Sequence, residues 1–314
     1  MVSGGMKKTA VPLSLPHEVC YDAKNMLRGW PATQDFTGGS MRHDCQMNLQ
    51  DCYVEEDLFP KIFTGYEERD YGILFFNTEN KDSFDSNHAV IYRDRIHDLP
   101  RVLADITGFY QAKGSRSIIY QSMLDDNWFD EIKGELAAAG YESWVEDQEY
   151  MLPSGSNRIV PNPEITVTKV SEWNDEIENV FVEAEEPWEI MVSKKTLDYP
   201  KGWMFAASIN KKTVGLLYGH RSEKACRVDY LLVSKQHRKT GAGRALFYHY
   251  VEWCKQNGIE NTYIWPDGDT PKRIYEEGGY RIVEVRKAGR AVLNERVTTN
   301  TGLPGTGKPE GLFF

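Results

Sequence analysis

The segment Val228-Asp-Tyr-Leu-Leu-Val-Ser-Lys-Gln-His-Arg-Lys-Thr-Gly-Ala-Gly-Arg-Ala-Leu-Phe-Tyr-His-Tyr250 decides how this chain is read. An apolar strand, ending Leu231-Leu232-Val233, runs directly into a glycine-containing loop that opens a long amphipathic helix. The first-turn N–H groups of such a helix have no partner within it and converge on one spot, where an anion can sit. Gly241 and Gly243 let backbone approach a ligand closely. Arg238, Lys239 and Arg244 add positive charge where a helix N-terminus disfavours it, which a bound anion would explain.

Working outward, the C-terminal region reads as an ordered series. Ile165–Val170 alternates like a strand, and an acidic helix follows with Ser171 as its expected N-cap. Three strands come next (WMFAASI, KKTVGLLYG, ACRVDYLLV), then the helix ending at Gly258, the strand NTYIWP, the helix TPKRIYEEG and the strand YRIVEVRK. This predicts an α/β fold with a mostly antiparallel sheet flanked by helices. Upstream, the strands YGILFFN and NHAVIYR precede a helix ending at Gly114, the strand SRSIIYQS, a helix ending at Gly140 and the strand YESWVEDQEYML. AKGSRSIIY aligns with QNGIENTYI, and AAAGYES with EEGGYRI, so the fold is expected to be duplicated. The expected division is an extension over 1–50, a first domain over 51–152, a Pro-rich linker over 153–163, a second domain over 164–297 and a flexible tail over 298–314.

That tail contains Gly302-Leu-Pro-Gly-Thr-Gly-Lys-Pro309, which mimics a phosphate loop. Pro309 stands where a magnesium-binding hydroxyl belongs, and the five residues after it are too few to nucleate a helix. The loop at Arg238 is therefore the expected phosphate site.

Bulk properties narrow the classes. With 40% hydrophobic and 12% aromatic residues the chain can bury a full core, and no run reaches the ~18 apolar residues of a membrane span. The N-terminus lacks a continuous apolar segment, so it reads poorly as a signal peptide. A net charge of −10 argues against nucleic-acid or anionic-membrane partners and suits a cationic substrate. Five cysteines without a C-x-x-C pair fit a reducing, cytoplasmic setting. No His/Cys/Asp spacing suggests a metal.

Arg238-Lys239-Thr240-Gly241-Ala242-Gly243 fits R/Q-x-x-G-x-G/A, and Ile274-Tyr-Glu-Glu-Gly-Gly-Tyr280 fits Y-x-x-x-G-F/Y. In these motifs and in element order, residues 164–292 resemble the GCN5-related N-acetyltransferases (GNAT). The resemblance implies acyl transfer, most often of acetyl from acetyl-CoA, to a primary amine of a small molecule. It implies that backbone groups of Leu231, Leu232 and Val233 pair with the pantetheine arm, that an N–H near Val233 polarises the thioester carbonyl, and that the N–H groups from Arg238 to Arg244 hold the pyrophosphate. It implies Tyr275 as the acid that protonates the departing thiolate; packing of the last helix is the competing reading. Where the family often carries Asn, this chain has Gly268 between Asp267 and Asp269; either aspartate is a candidate for the substitute contact, with Asp269 the one expected.

Asp229 is the expected general base, with His220 and His237 expected at the surface. Glu185, Glu186, Trp188 and Glu189 fall where the resemblance puts the acceptor pocket; a carboxylate cluster beside Trp188 would bind a cationic amine, and a solvated charged face is the alternative. The N-terminal half has no glycine loop before its helix and Leu136 at the position matching Tyr275, so it is expected to be degenerate, serving either to cover the acceptor pocket or to mediate a homodimer. The rival functions are an acyl-CoA-binding regulatory module without turnover and a protein or peptide N-acetyltransferase.

Overall fold

The computed structural model describes residues 48–294 other than Asp82. The expected extension is thus seen only from Asn48 onward, and the phosphate-loop mimic at 302–309 lies outside the described residues.

The described residues begin with a helix the sequence did not announce, α1 (Leu49–Leu58), whose first turn is capped by the Asn48 side chain accepting from Gln50 N at 3.1 Å. There follow β1 (Gly65–Arg69), β2 (Gly72–Phe76), β3 (Ala89–Ile91), α2 (Leu99–Ala112), β4 (Ile118–Gln121), α3 (Trp128–Glu131), α4 (Lys133–Ala138) and β5 (Tyr141–Pro153). The second half comprises β6 (Ile165–Lys169), α5 (Asp175–Ala184), α6 (Glu189–Asp198), β7 (Gly202–Ile209), β8 (Lys212–Arg221), β9 (Cys226–Val233), α7 (Ala242–Gln256), β10 (Thr262–Tyr263), α8 (Asp269–Glu277) and β11 (Tyr280–Leu293).

Both halves run three antiparallel strands into a helix, a parallel strand, a further helix and a long last strand. β3 and β4 pair in parallel, as do β9 and β10. Even the helix ends repeat. Gly114 and Gly258 both take a left-handed φ of 62°, and the residue after each donates back into the last turn (Ser115 N to Tyr110 O, Ile259 N to Cys254 O).

The halves share their last strands. One sheet has the order β1-β2-β3-β4-β11-β5, so the closing strand of the second half lies inside the sheet of the first. The other has the order β10-β9-β8-β7-β6. β11 and β5 pair along their length, while the end of β11 reaches β4 (Val292 opposite Ile118) and the end of β5 reaches across to Ile264 beside β10. The second sheet lies wholly within the expected second domain, 164–297, but that domain's last strand, β11, belongs to the sheet of the first half. The Pro-rich stretch between them is ordered: Ser154 and Arg158 donate backbone bonds to Gly279 and Glu277, and Ile159 is buried.

β8 is buried over most of its length because helices cover both faces of its sheet. α7 packs one face over Trp203, Phe205 and Leu217, and α5 and α6 pack the other over Met204, Leu216 and Tyr218. A separate cluster around Leu103, Ile106, Phe129 and Leu136 fills the first half. The N-cap of α5 is Asn174, whose side chain accepts from Ile177 N at 3.1 Å, rather than Ser171. The helix then ends at Glu185, in a left-handed conformation (φ 67°), and Pro187 sits in the turn before α6. That turn divides the acidic stretch that the sequence presented as one piece.

Candidate active site

A fork between β9 and β10 sets the site. Their parallel pairing covers only Cys226 and Arg227, opposite Thr262 and Tyr263. Beyond it the edge of β9 carrying Leu231, Leu232 and Val233 has no neighbouring strand among the described residues, so its backbone groups can pair with an extended ligand. A bulge where Tyr218 faces Tyr230 and Gly219 faces Val228 leaves Asp229 without a partner on β8 and bends the strand.

The glycine loop lies at the open end of this fork. Lys239 (φ 66°) and Gly241 (φ 97°) turn the chain left-handed, and among the described residues α7 starts without any side-chain cap. The first helical bond is Ala245 N to Gly241 O at 3.0 Å, so the N–H groups of Ala242, Gly243 and Arg244 come before it. Asn162, from the Pro-rich stretch, donates to Thr240 O at 3.2 Å and steadies the loop. In the first half the equivalent helix fills its own anion position: the Asp98 carboxylate accepts from Arg101 N at 3.2 Å.

The basic residues divide. Arg244 pairs with Glu277, and Arg238 Nε reaches back to Val233 O at 3.4 Å. Lys239 is exposed and forms no ion pair among the described residues. The positive charge expected from Arg244 is therefore largely balanced within the protein.

Tyr275 projects from α8 into the same region. It is buried against Phe247, with ring centroids 4.7 Å apart, and its hydroxyl makes no hydrogen bond among the described residues. Burial first, and the charge of Asp267 second, push that hydroxyl well above its ordinary value, so it keeps its proton. Leu136, the matching residue of the first half, is wholly buried in the core.

Loop, fork and Tyr275 all border one cavity of about 940 Å³. It extends past β9 to residues of the first half, among them Glu56, Asp85, His88 and Tyr120. Two of the four residues expected to bind an acceptor, Glu186 and Glu189, are in its wall. The other two are not. Glu185 is exposed and pairs with Lys235, while Trp188 is at the surface, its carbonyl accepting from Asn80 Nδ2 at 3.0 Å. Asp269 is exposed at the start of α8 and off the wall, whereas Asp267 borders the cavity.

Glu189 is 6% exposed and accepts from the Tyr218 hydroxyl at 2.5 Å. Burial, then the neighbouring charge of Asp85, push its carboxyl up to about 8. Asp229 lies between the Arg227 guanidinium and His220 Nδ1, the latter at 3.2 Å. Burial opposes its charge, but the two neighbours outweigh it and hold the carboxyl below its usual range. So pinned, it is a poor proton acceptor, against the role expected for it.

His220 is not at the surface as expected. It is 1% exposed and bridges Asp229 to Glu55 of α1, with Nε2 2.7 Å from Glu55 Oε1. Arg227 likewise holds Glu56 through Nε at 2.8 Å. His237 is half-buried, its Nδ1 2.8 Å from Ser234 Oγ. The contributions of Glu55, Glu56, Asp85 and His88 were missed; the one available signal was a histidine, His88, at the head of the apolar run AVIY. Among the described residues no group of His, Cys, Asp and Glu is arranged to hold a metal, and no helix is long and apolar enough to cross a membrane.

Residues 167–278, which include the fork, the loop and Tyr275, match the model of the acetyltransferase (GNAT) family. The chain carries a GNAT domain. Among solved structures, a GCN5-related N-acetyltransferase from Kribbella flavida is 14% identical, with a TM-score of 0.57, covering 79% of this chain and 96% of its own. A conserved protein of unknown function from Staphylococcus epidermidis is 16% identical, with a TM-score of 0.53 over 79% of this chain and 98% of its own. At these identities the likeness is one of fold. No curated protein matches the sequence. The GNAT domain model stops at residue 278, before β11, the strand that passes into the other sheet.

Proposed function

We propose that the GNAT domain is an N-acyltransferase that moves an acetyl group from acetyl-CoA to a primary amine of a small molecule by direct attack. The observation that carries this reading is the shared cavity: the open edge of β9, the uncapped start of α7 and the Tyr275 hydroxyl border one space. The free N–H groups of α7 would bind the pyrophosphate and the edge of β9 would take the pantetheine arm as an added strand. An N–H near Val233 would stabilise the oxyanion as the amine nitrogen bonds to the carbonyl carbon. The C–S bond then breaks, Tyr275, fully protonated, passes its proton to the thiolate, and the proton shed by the acylated nitrogen returns through water to the tyrosinate. Because the first half walls in the acceptor end, a small molecule fits better than a polypeptide. Acetyl-CoA is an intracellular metabolite, so a cytoplasmic location belongs to the same reading.

Calorimetric titration with acetyl-CoA, with ATP in parallel, tests it. Micromolar binding of acetyl-CoA alone, followed by amine-dependent thiol release, is the expected result. Binding without release by any amine would favour a regulatory acyl-CoA sensor. Binding of ATP alone would overturn the reading.

A further inference from the structure

The acceptor end of the cavity holds more carboxyl groups than one amine explains. Asp85 from the first half, and Glu186 and Glu189 from the second, line it. Among the described residues none of the three has an ion-pair partner, whereas Glu56, Asp229 and Glu277 on the same wall are each paired with arginine. Arg227 and Arg290 act on Asp85 only at longer range; Arg227 is committed to Glu56 and Asp229, and Arg290 stacks over Tyr120. Carboxyl groups held largely out of water without a cationic partner are kept from ionising until a cation arrives.

A second observation points to a ligand independently of the acids. His88 is 1% exposed, stacked on Tyr120 at 4.2 Å, and part of the cavity wall. Its Nδ1 lies 2.9 Å from Phe84 O, which places the ring proton there and leaves the Nε2 lone pair without a hydrogen bond among the described residues. Burial pushes the ring down to about 4, so it is neutral and offers an acceptor, not a charge. The Tyr120 hydroxyl, also on the wall, has no partner among the described residues either. Buried polar groups in this state are satisfied by something that enters.

We infer that the acceptor carries at least two amino groups, one held as an ammonium between Asp85 and Glu189 and the other free to react. Two carboxylates flanking an ammonium favour its protonated form, and a protonated amine has no lone pair with which to attack. The anchor and the nucleophile must therefore be different nitrogens. This rests on the acyl-transfer reading for the fate of the second amine but not for the binding of the first. The first half, which lacks a cofactor loop, then supplies acceptor recognition through Asp85 and His88.

The test is calorimetric titration of the full chain with α,ω-diaminoalkanes and with n-alkylamines of matching length, in the presence and absence of coenzyme A. Both kinds of amine should bind, since each offers an ammonium to the anchor, but in a thiol-release assay with acetyl-CoA only the diamines should turn over. Asp85→Asn and Glu189→Gln should each weaken both kinds of amine at least about 10-fold. Should Glu189→Gln fail to fold, Asp85→Asn on the other half decides alone. Turnover of monoamines at the diamine rate, or amine binding that survives Asp85→Asn, would overturn the inference even if acetyl-CoA binds. Diamine binding that depends on Asp85 without any affinity for coenzyme A would support it and sink the acyl-transfer reading instead.

Discussion

His220 Nε2 lies 2.7 Å from Glu55 Oε1, a contact that ties the end of β8 to the first described helix and so fastens one half of the molecule to the other. Burial alone would strip His220 of its charge, but Asp229 and Glu55 reverse this and push it up to about 9. The folded state therefore binds this proton more tightly than the unfolded chain, whose histidine titrates near ~6.5. Its contribution is complete below that pH and disappears as pH rises through about 9. Glu189, raised to about 8, acts with the same sign over a lower window, since ionising it in place is unfavourable. Thermal unfolding should show stability falling between pH 6.5 and 9 by roughly 1–3 kcal/mol. His220→Gln should be less stable at pH 6.5 and flatter across the range; an unchanged slope would show that the His220 proton is not held by this pair.

The glycine loop makes a sharper prediction. Gly241 has φ 97°, and an added Cβ would come within 3.5 Å of Asn162 Cβ, ordinary contact in an unfavourable backbone conformation. Gly241→Ala should thus cost on the order of 1 kcal/mol in stability and weaken acetyl-CoA modestly. Gly241→Glu places a carboxylate beside the free N–H groups and should abolish coenzyme A binding with the circular dichroism spectrum preserved. Retained affinity in Gly241→Glu would refute the placement of the pyrophosphate.

Tyr275→Phe tests the acid. The ring packs on Phe247 and the hydroxyl has no protein partner among the described residues, so its loss should leave folding and cofactor affinity nearly unchanged. A fall in kcat of at least about 10-fold is expected, largest for poor thiol leaving groups. Wild-type turnover in this variant would reduce Tyr275 to a packing residue.

Asp98→Ala separates the two halves. The side chain caps α2 and should contribute about 1 kcal/mol to stability, while acetyl-CoA affinity stays as in the wild type. A coenzyme A binding defect would mean that the first half takes part in cofactor binding after all.

The sequence revealed what depends on local pattern. Strand-loop-helix at Val233 to Gly243 is written in adjacent residues, and so are the paired glycine stops at Gly114 and Gly258. Contacts between distant segments were not legible. His220 and Asp229 look unremarkable until Glu55, 165 residues from His220, is brought against them. α1 has no apolar stripe, because its use is to carry Glu55 and Glu56 inward alongside Cys52 and Tyr53, and so no periodicity marked it. Glu185 and Glu189 were read alike because both sit in one acidic run. A left-handed residue and a proline turn the backbone between them, sending one to solvent and the other into the cavity.

The exchanged strand β11 also has a bearing on synthesis. Ribosomes deliver the first half early, yet the slot between β4 and β5 is filled by residues 280–293. Until that segment emerges, β5 faces the nascent chain with an unpaired edge, a template for pairing with another copy. Separating the halves by cleavage in the Pro-rich stretch would leave both sheets interlocked, and expressing 48–153 alone should yield material that aggregates until a peptide spanning β11 is supplied.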